Sequence, residues 1–275
     1  MWNACGYGSI NGMTTLRQAA LLPLSEANST SKAHLTTALE LTLPSGAELD
    51  VVMPSGIPGR PSLPQLVRAT ALKQLSLRTP EGRASLIHSI VHIEMNAIDL
   101  ALDVAARFAG MPDRFYVDWI AIAKEEALHF TLLREHLNTY GFDYGDFDAH
   151  NSLWEMAERT KGDILARIAL VPRTLEARGL DASPQVKMKL VGAGDVKAGE
   201  ILDVILRDEI GHVAIGNKWY RWLCEQRGLD PISTYAKLVE EYEPPKLRRP
   251  FNLEARRLAG FDEIELQALQ AQALT

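Results

Sequence analysis

Two seven-residue stretches of the chain share one pattern. Lys124-Glu125-Glu126-Ala127-Leu128-His129-Phe130 and Arg207-Asp208-Glu209-Ile210-Gly211-His212-Val213 each run basic, acidic, Glu, two spacers, His, apolar. Both lie in proline-free runs of helical apolar periodicity, which predicts the middle of a helix. Residues three apart on a helix lie within about 60° of each other, so Glu126 and His129 project together, as do Glu209 and His212. A carboxylate and an imidazole on one buried face make half of a metal site. Glu125 is the rival to Glu126, standing four before His129, but the match with Asp208-Glu209 selects Glu126.

A carboxylate stands upstream of each copy. Glu94 precedes Glu126 by 32 positions and Glu176 precedes Glu209 by 33, with Gly110-Met111-Pro112 in the first gap and Gly192-Ala193-Gly194-Asp195 in the second. Both upstream acids are 16 residues from the first glycine of their gap; Pro112 and Asp195 are each 14 residues from the downstream acid. If the chain turns at those glycines, each upstream Glu is level with its downstream Glu across an antiparallel helix pair. Two such hairpins offer four carboxylates and two imidazoles. The four negative charges balance two divalent cations if both histidines are neutral. Oxygen-rich ligation with one His per metal suits iron or manganese better than a structural zinc.

With these residues the chain resembles the ferritin-like di-iron carboxylate proteins over roughly residues 80–227. That superfamily holds its metals with a Glu from each of two helices and a Glu-x-x-His from each of the other two. The stretches His92-Ile93-Glu94, Ala97-Ile98-Asp99-Leu100-Ala101 and Leu170 to Leu180 are similar to a bacterial branch without an assigned activity, related to a hydroxylase of modified adenosine in tRNA. The resemblance implies an all-α fold, a ferritin-like four-helix bundle of two hairpins joined by a long crossover. It also implies two iron ions, manganese being the substitute, on Glu94, Glu126, His129, Glu176, Glu209 and His212. It supplies no substrate.

The elements that must position these ligands follow from local signals. Thr79-Pro80-Glu81 is a helix start, with a capping hydroxyl, proline in the first turn and an acid near the positive end. That helix is expected to reach Ala109, placing Glu94 in the apolar stripe of Ile87, Val91, Ile98 and Ala101. An acid there is costly unless compensated. The second helix is expected over Pro112 to Tyr140, with Trp119 two turns before Glu126 as a wall of the site. The third is expected from Ser152 to Arg178, kinked at Pro172, interrupted over Gly179 to Pro184 and resumed from Gln185 to Val191. The fourth starts at Asp195 and reaches Arg227. Arg173 is a candidate to hold a ligand carboxylate, and Asp203 and Asp208 to hold the histidines.

Around this bundle (63–230) the proline and glycine pattern predicts an irregular amino-terminal arm over 1–62. A short helix is expected over 65–78, and a carboxyl-terminal extension over 231–275 has helices at Pro231 to Glu241, Phe251 to Gly260 and Asp262 to Ala273. Met13 is an alternative start, residues 1–12 then being an extension. Lys246, Arg248 and Arg249 form a basic linker.

Composition narrows the function classes. The 275 residues are 47% hydrophobic with a net charge of -6, enough for a large core and contrary to a strongly phosphate-binding surface, so nucleic acid is not the expected partner. Cys5 and Cys224 define neither a disulfide framework nor a thiolate metal site, which fits a reducing cytoplasm. No run is long enough for a membrane span and no signal peptide is visible. The leading expectation is a dioxygen-dependent oxidase or hydroxylase acting on a small molecule or modified base with an unidentified electron donor, a homodimer being the assembly considered. A ferroxidase or oxidant-protection protein without organic substrate, and a tRNA-modifying hydroxylase, are the alternatives.

Overall fold

The computed structural model describes residues 14–272, and these are all-α. Leu66 and Ala149 form an isolated parallel bridge, and the described residues contain no strand. Three short helices, α1 (Leu16–Ala19), α2 (Leu21–Ser25) and α3 (Ser29–Thr37), precede two long ones, α4 (Pro80–Arg107) and α5 (Asp113–Asn138). Then follow α6 (Ser152–Arg159), α7 (Ile164–Leu170), a π-helical turn (Val171–Glu176), α8 (Ala177–Gly192), α9 (Val196–Gln226), α10 (Pro231–Tyr242), α11 (Leu253–Leu258) and α12 (Glu263–Gln272). No helix among the described residues is long and apolar enough to cross a membrane. Cys5 and the alternative start at Met13 lie outside the described residues.

The chain divides into two compact units. The first comprises residues up to Leu63 and His92–Thr131, the second Pro64–Val91 and Leu132 onwards, so α4 and α5 contribute to both.

In the first unit the arm is not the irregular chain that its prolines suggest. Thr15 and Asn28 cap α1 and α3, accepting from the amides of Gln18 and Ser31, and Thr15 with Gln18 forms a full capping box. Two buried cations tie these helices down. Arg17 donates to the carbonyl of Ala106 from Nε (3.2 Å) and Nη2 (2.9 Å), and to that of Gly46 (3.2 Å). It thereby satisfies a carbonyl in the last turn of α4, which has no intrahelical partner, and places a positive charge at the negative end of that helix. Lys32 pairs with Asp99 on α4, both side chains being 1% exposed, and donates to the carbonyl of Gly59 at 2.9 Å. Lys124 on α5 donates to the carbonyl of Leu39 at 2.6 Å. The α4–α5 connection turns at Gly110, whose φ of 74° is the left-handed conformation that glycine adopts without strain.

In the second unit the expected helix over 65–78 is reduced to one 3-10 turn, Ala69–Ala71, and the flanking chain is extended. Thr79 caps α4 as expected, its hydroxyl accepting from the Gly82 amide at 3.1 Å. The crossover over 141–150 is an anchored loop. The Gly145 amide donates to His88 Nε2 (2.9 Å), Tyr144 stacks on the His88 ring, and Arg134 holds Asp143 at 2.6 Å.

The third helix breaks in a different place from the one its glycine and proline indicate. The interruption falls between α6 and α7, where Asp163 restarts the helix by accepting from the Leu165 amide. Residues 179–184 are continuous helix within α8, Pro184 included. A proline inside a helix leaves the carbonyl four residues earlier without its donor. Here that carbonyl is Leu180's, and Asn252 Nδ2 donates to it at 3.2 Å. Arg256 pairs with the buried Asp181 at 2.6 Å, so α11 repairs α8 from outside. Pro172 is absorbed by the π-helical turn, where the Thr174 hydroxyl reaches back five residues to the Ala169 carbonyl at 2.8 Å. The π-helical turn, α7 and α8 all pack along α9.

Candidate metal centre

In the first unit, Glu94 on α4 and Glu126 with His129 on α5 converge. His129 Nδ1 is 3.3 Å from Glu126 Oε2 and 3.4 Å from Glu94 Oε2. The three residues are 3%, 1% and 0% exposed, and each offers a ligand atom within 4.8 Å of the others. Glu125 is exposed, as its place one residue round the helix requires.

The three buried groups shift one another's protonation strongly. Burial, aided by the Glu126 charge and opposed by His129, pushes the Glu94 carboxyl up to about 7. Burial alone would depress the His129 imidazolium, but its hydrogen bonds and charge interactions with Glu126 and Glu94 outweigh that and hold it far above its ordinary value. Two buried carboxylates thus share one imidazolium, an arrangement that a metal ion replaces by displacing the proton.

In the second unit, Glu209 and His212 lie buried on α9, with His212 Nδ1 4.0 Å from Glu209 Oε1. Glu176 ends the π-helical turn and is half-buried. Glu94 approaches both Glu126 and His129, so the two glutamates of the first hairpin lie together. Glu94 meets His129 directly. In the second hairpin Lys187 pairs with Asp203, and a Cβ at Gly216 would meet Pro172 at 3.0 Å.

Two of the supporting residues, Asp203 and Arg173, depart from expectation. Asp203 backs no histidine: its side chain is 57% exposed and held by Lys187. Arg173 holds no ligand carboxylate but pairs with Glu265 on α12. Asp208 is bound by Arg207 at 2.8 Å. Trp119 is buried in edge contact with Phe115. Sequence reasoning missed Glu265, whose only local sign is the capping pair it forms with Asp262.

Residues 25–267 match the model of the family described as Protein of unknown function (DUF455). The chain belongs to that family. An uncharacterized protein of Haemophilus influenzae is 46% identical over 224 residues, covering 79% of this chain and 78% of the relative. No solved structure matches.

Proposed function

We propose that the chain is a ferritin-like carboxylate protein whose two hairpins, α4–α5 and α8–α9, pair to hold two metal ions, iron in the first place and manganese as the substitute. Glu94, Glu126 and His129 would contribute to one cation, and Glu176, Glu209 and His212 to the other. The observation that carries this reading is the convergence of Glu94, Glu126 and His129 in the first unit. Two carboxylates and an imidazole buried together cost stability without a cation and fit one by donor type and charge. The matching Glu209–His212 pair on α9 supports a second metal.

The reaction class we infer is dioxygen-dependent oxidation or hydroxylation of an organic substrate. Two ferrous ions at such a site would supply electrons for the reduction of dioxygen. The chain's own contribution is to neutralise the cations, to fix the imidazoles and to keep water out. Phe115, Trp119, Ile122 and Phe130 on α5 are all buried, so the segment carrying the ligands is walled by apolar side chains.

Elemental analysis of protein purified without added metal, with optical spectra before and after anaerobic reduction and air exposure, tests the reading. About two irons per chain and an oxo-bridged ferric band that bleaches on reduction and returns in air are expected. Zinc alone, or no metal after reconstitution with ferrous ion, overturns it. Consumption of dioxygen by ferrous ion alone, with no dependence on any organic compound, would favour an iron-oxidising role.

A further inference from the structure

Arg173 lies three residues before Glu176 and is 4% exposed. Its guanidinium sits over three rings: Tyr220 of α9 at 4.8 Å, Tyr235 of α10 at 4.5 Å and Phe261 at 5.0 Å. It also pairs with Glu265 Oε1 on α12. The other oxygen of that carboxylate, Oε2, accepts from Arg221 on α9 at 3.0 Å and from the Asp262 amide at 2.9 Å. The Glu265 amide in turn donates to Asp262 Oδ1 at 2.9 Å, a reciprocal capping pair that fixes the glutamate's own rotamer. One carboxylate therefore ties the π-helical turn that ends in Glu176 to the helix that carries Glu209 and His212.

The turn needs such a tie. A π-helical segment is rare and occurs mostly as a single turn inserted in an α-helix, frequently at a functional site. Around Arg173 the turn is held by side chains: Thr174 bonds the Tyr235 hydroxyl at 2.8 Å, and Pro172 lies against the bare Cα of Gly216. Arginine suits the role because its planar fork stacks on rings and pairs with a carboxylate at once, which the compact ammonium of lysine does not.

We propose that Glu265, through Arg173 and Arg221, is a positioning residue of the metal centre, so that α12 sets the geometry in which Glu176 meets the second metal. This rests on the metal reading above. The full chain and its Glu265→Gln and Arg173→Lys variants are titrated with ferrous ion under anaerobic conditions, and amide hydrogen exchange is followed in the metal-free proteins. Both variants are expected to bind the weaker ferrous ion at least tenfold less tightly, the scale seen when support behind a ligand is lost. Exchange is expected to accelerate at residues 173–177 and to stay unchanged at 92–107. Glu265→Asp is expected to recover part of the affinity. Should Glu265→Gln fail to fold, Arg221→Gln, whose side chain is 42% exposed, cuts the other arm and is expected to weaken the same ion a few-fold. Wild-type-like affinity and exchange in the variants overturn the proposal and leave the metal reading intact. A wild-type chain that binds no ferrous ion overturns both.

Discussion

His129 Nδ1 stands 3.3 Å from Glu126 Oε2, three residues earlier on the same buried helical face. That contact makes His129 an acid of unusual weakness until a cation arrives, because its proton is held by Glu126 and Glu94. Metal binding at pH 7 is therefore expected to release at least one proton per chain. A pH indicator in weakly buffered solution would record it, and ferrous ion taken up with no proton released would contradict the shared-proton description. Glu126→Ala is expected to abolish stoichiometric binding; two metals retained per chain would remove Glu126 from the ligand set.

Gly216 and Pro172 give a test of the α9 packing. A methyl at Gly216 would lie 3.0 Å from Pro172 Cβ and 3.3 Å from its Cγ. Alanine gains about 1 kcal/mol of helix propensity over glycine. Overpacking against a stiff ring costs typically 1–3 kcal/mol. Gly216→Ala is expected to lower unfolding stability by about 1 kcal/mol net and to reduce metal affinity, both measurable by urea denaturation and titration of one preparation. A variant more stable than wild type would show that the π-helical turn yields easily.

The Lys32–Asp99 pair predicts an asymmetry. Lys32→Met leaves the Asp99 carboxylate buried without a cation, a loss of about 3–5 kcal/mol. The double variant Lys32→Met with Asp99→Leu removes both charges and is expected to recover most of it. Equal losses in the single and double variants would show that Lys32 acts through its stem and the Gly59 carbonyl rather than through charge.

His88 sets an acid limit. Burial depresses its imidazole to about 4, below the ordinary 6.5 that it regains on unfolding. Between those values the unfolded chain binds the extra proton, so stability is full above about pH 6.5 and falls as pH drops towards 4. The shift corresponds to about 3 kcal/mol. Protonation would also cost the Gly145 amide its acceptor. Urea midpoints of wild type and His88→Gln at a series of pH values should differ in slope across that window; parallel curves would remove His88 as the cause.

What was legible in the sequence was whatever is encoded locally. Thr79 before Pro80 and Asp195 before Val196 mark helix starts because a cap needs only the next three residues. Glu126 was separable from Glu125 because the second copy of the pattern, Asp208-Glu209, aligns with it, and Glu126 is buried where Glu125 is exposed. The break in the third helix was misplaced because Pro184 is tolerated through Asn252, which lies 68 positions away in the sequence. Arg173 was assigned the wrong partner for the same reason: nothing near it in the chain indicates Glu265, 92 residues on. The short helices of the arm were hidden by prolines that cluster after them, from Pro44 to Pro64.

That separation of 92 residues between Arg173 and Glu265 also orders events during synthesis. At about 5–20 residues per second, the ribosome reaches Glu265 roughly 5–18 s after Arg173. Once His212 has been made, 53 residues before Glu265, the nascent chain carries Glu94, Glu126, His129, Glu176, Glu209 and His212 but still lacks the carboxylate that joins the π-helical turn to α9. On the proposed metal reading, the geometry around Glu176 is fixed only once α12 has been made, so that tight ferrous binding would follow completion of the fold.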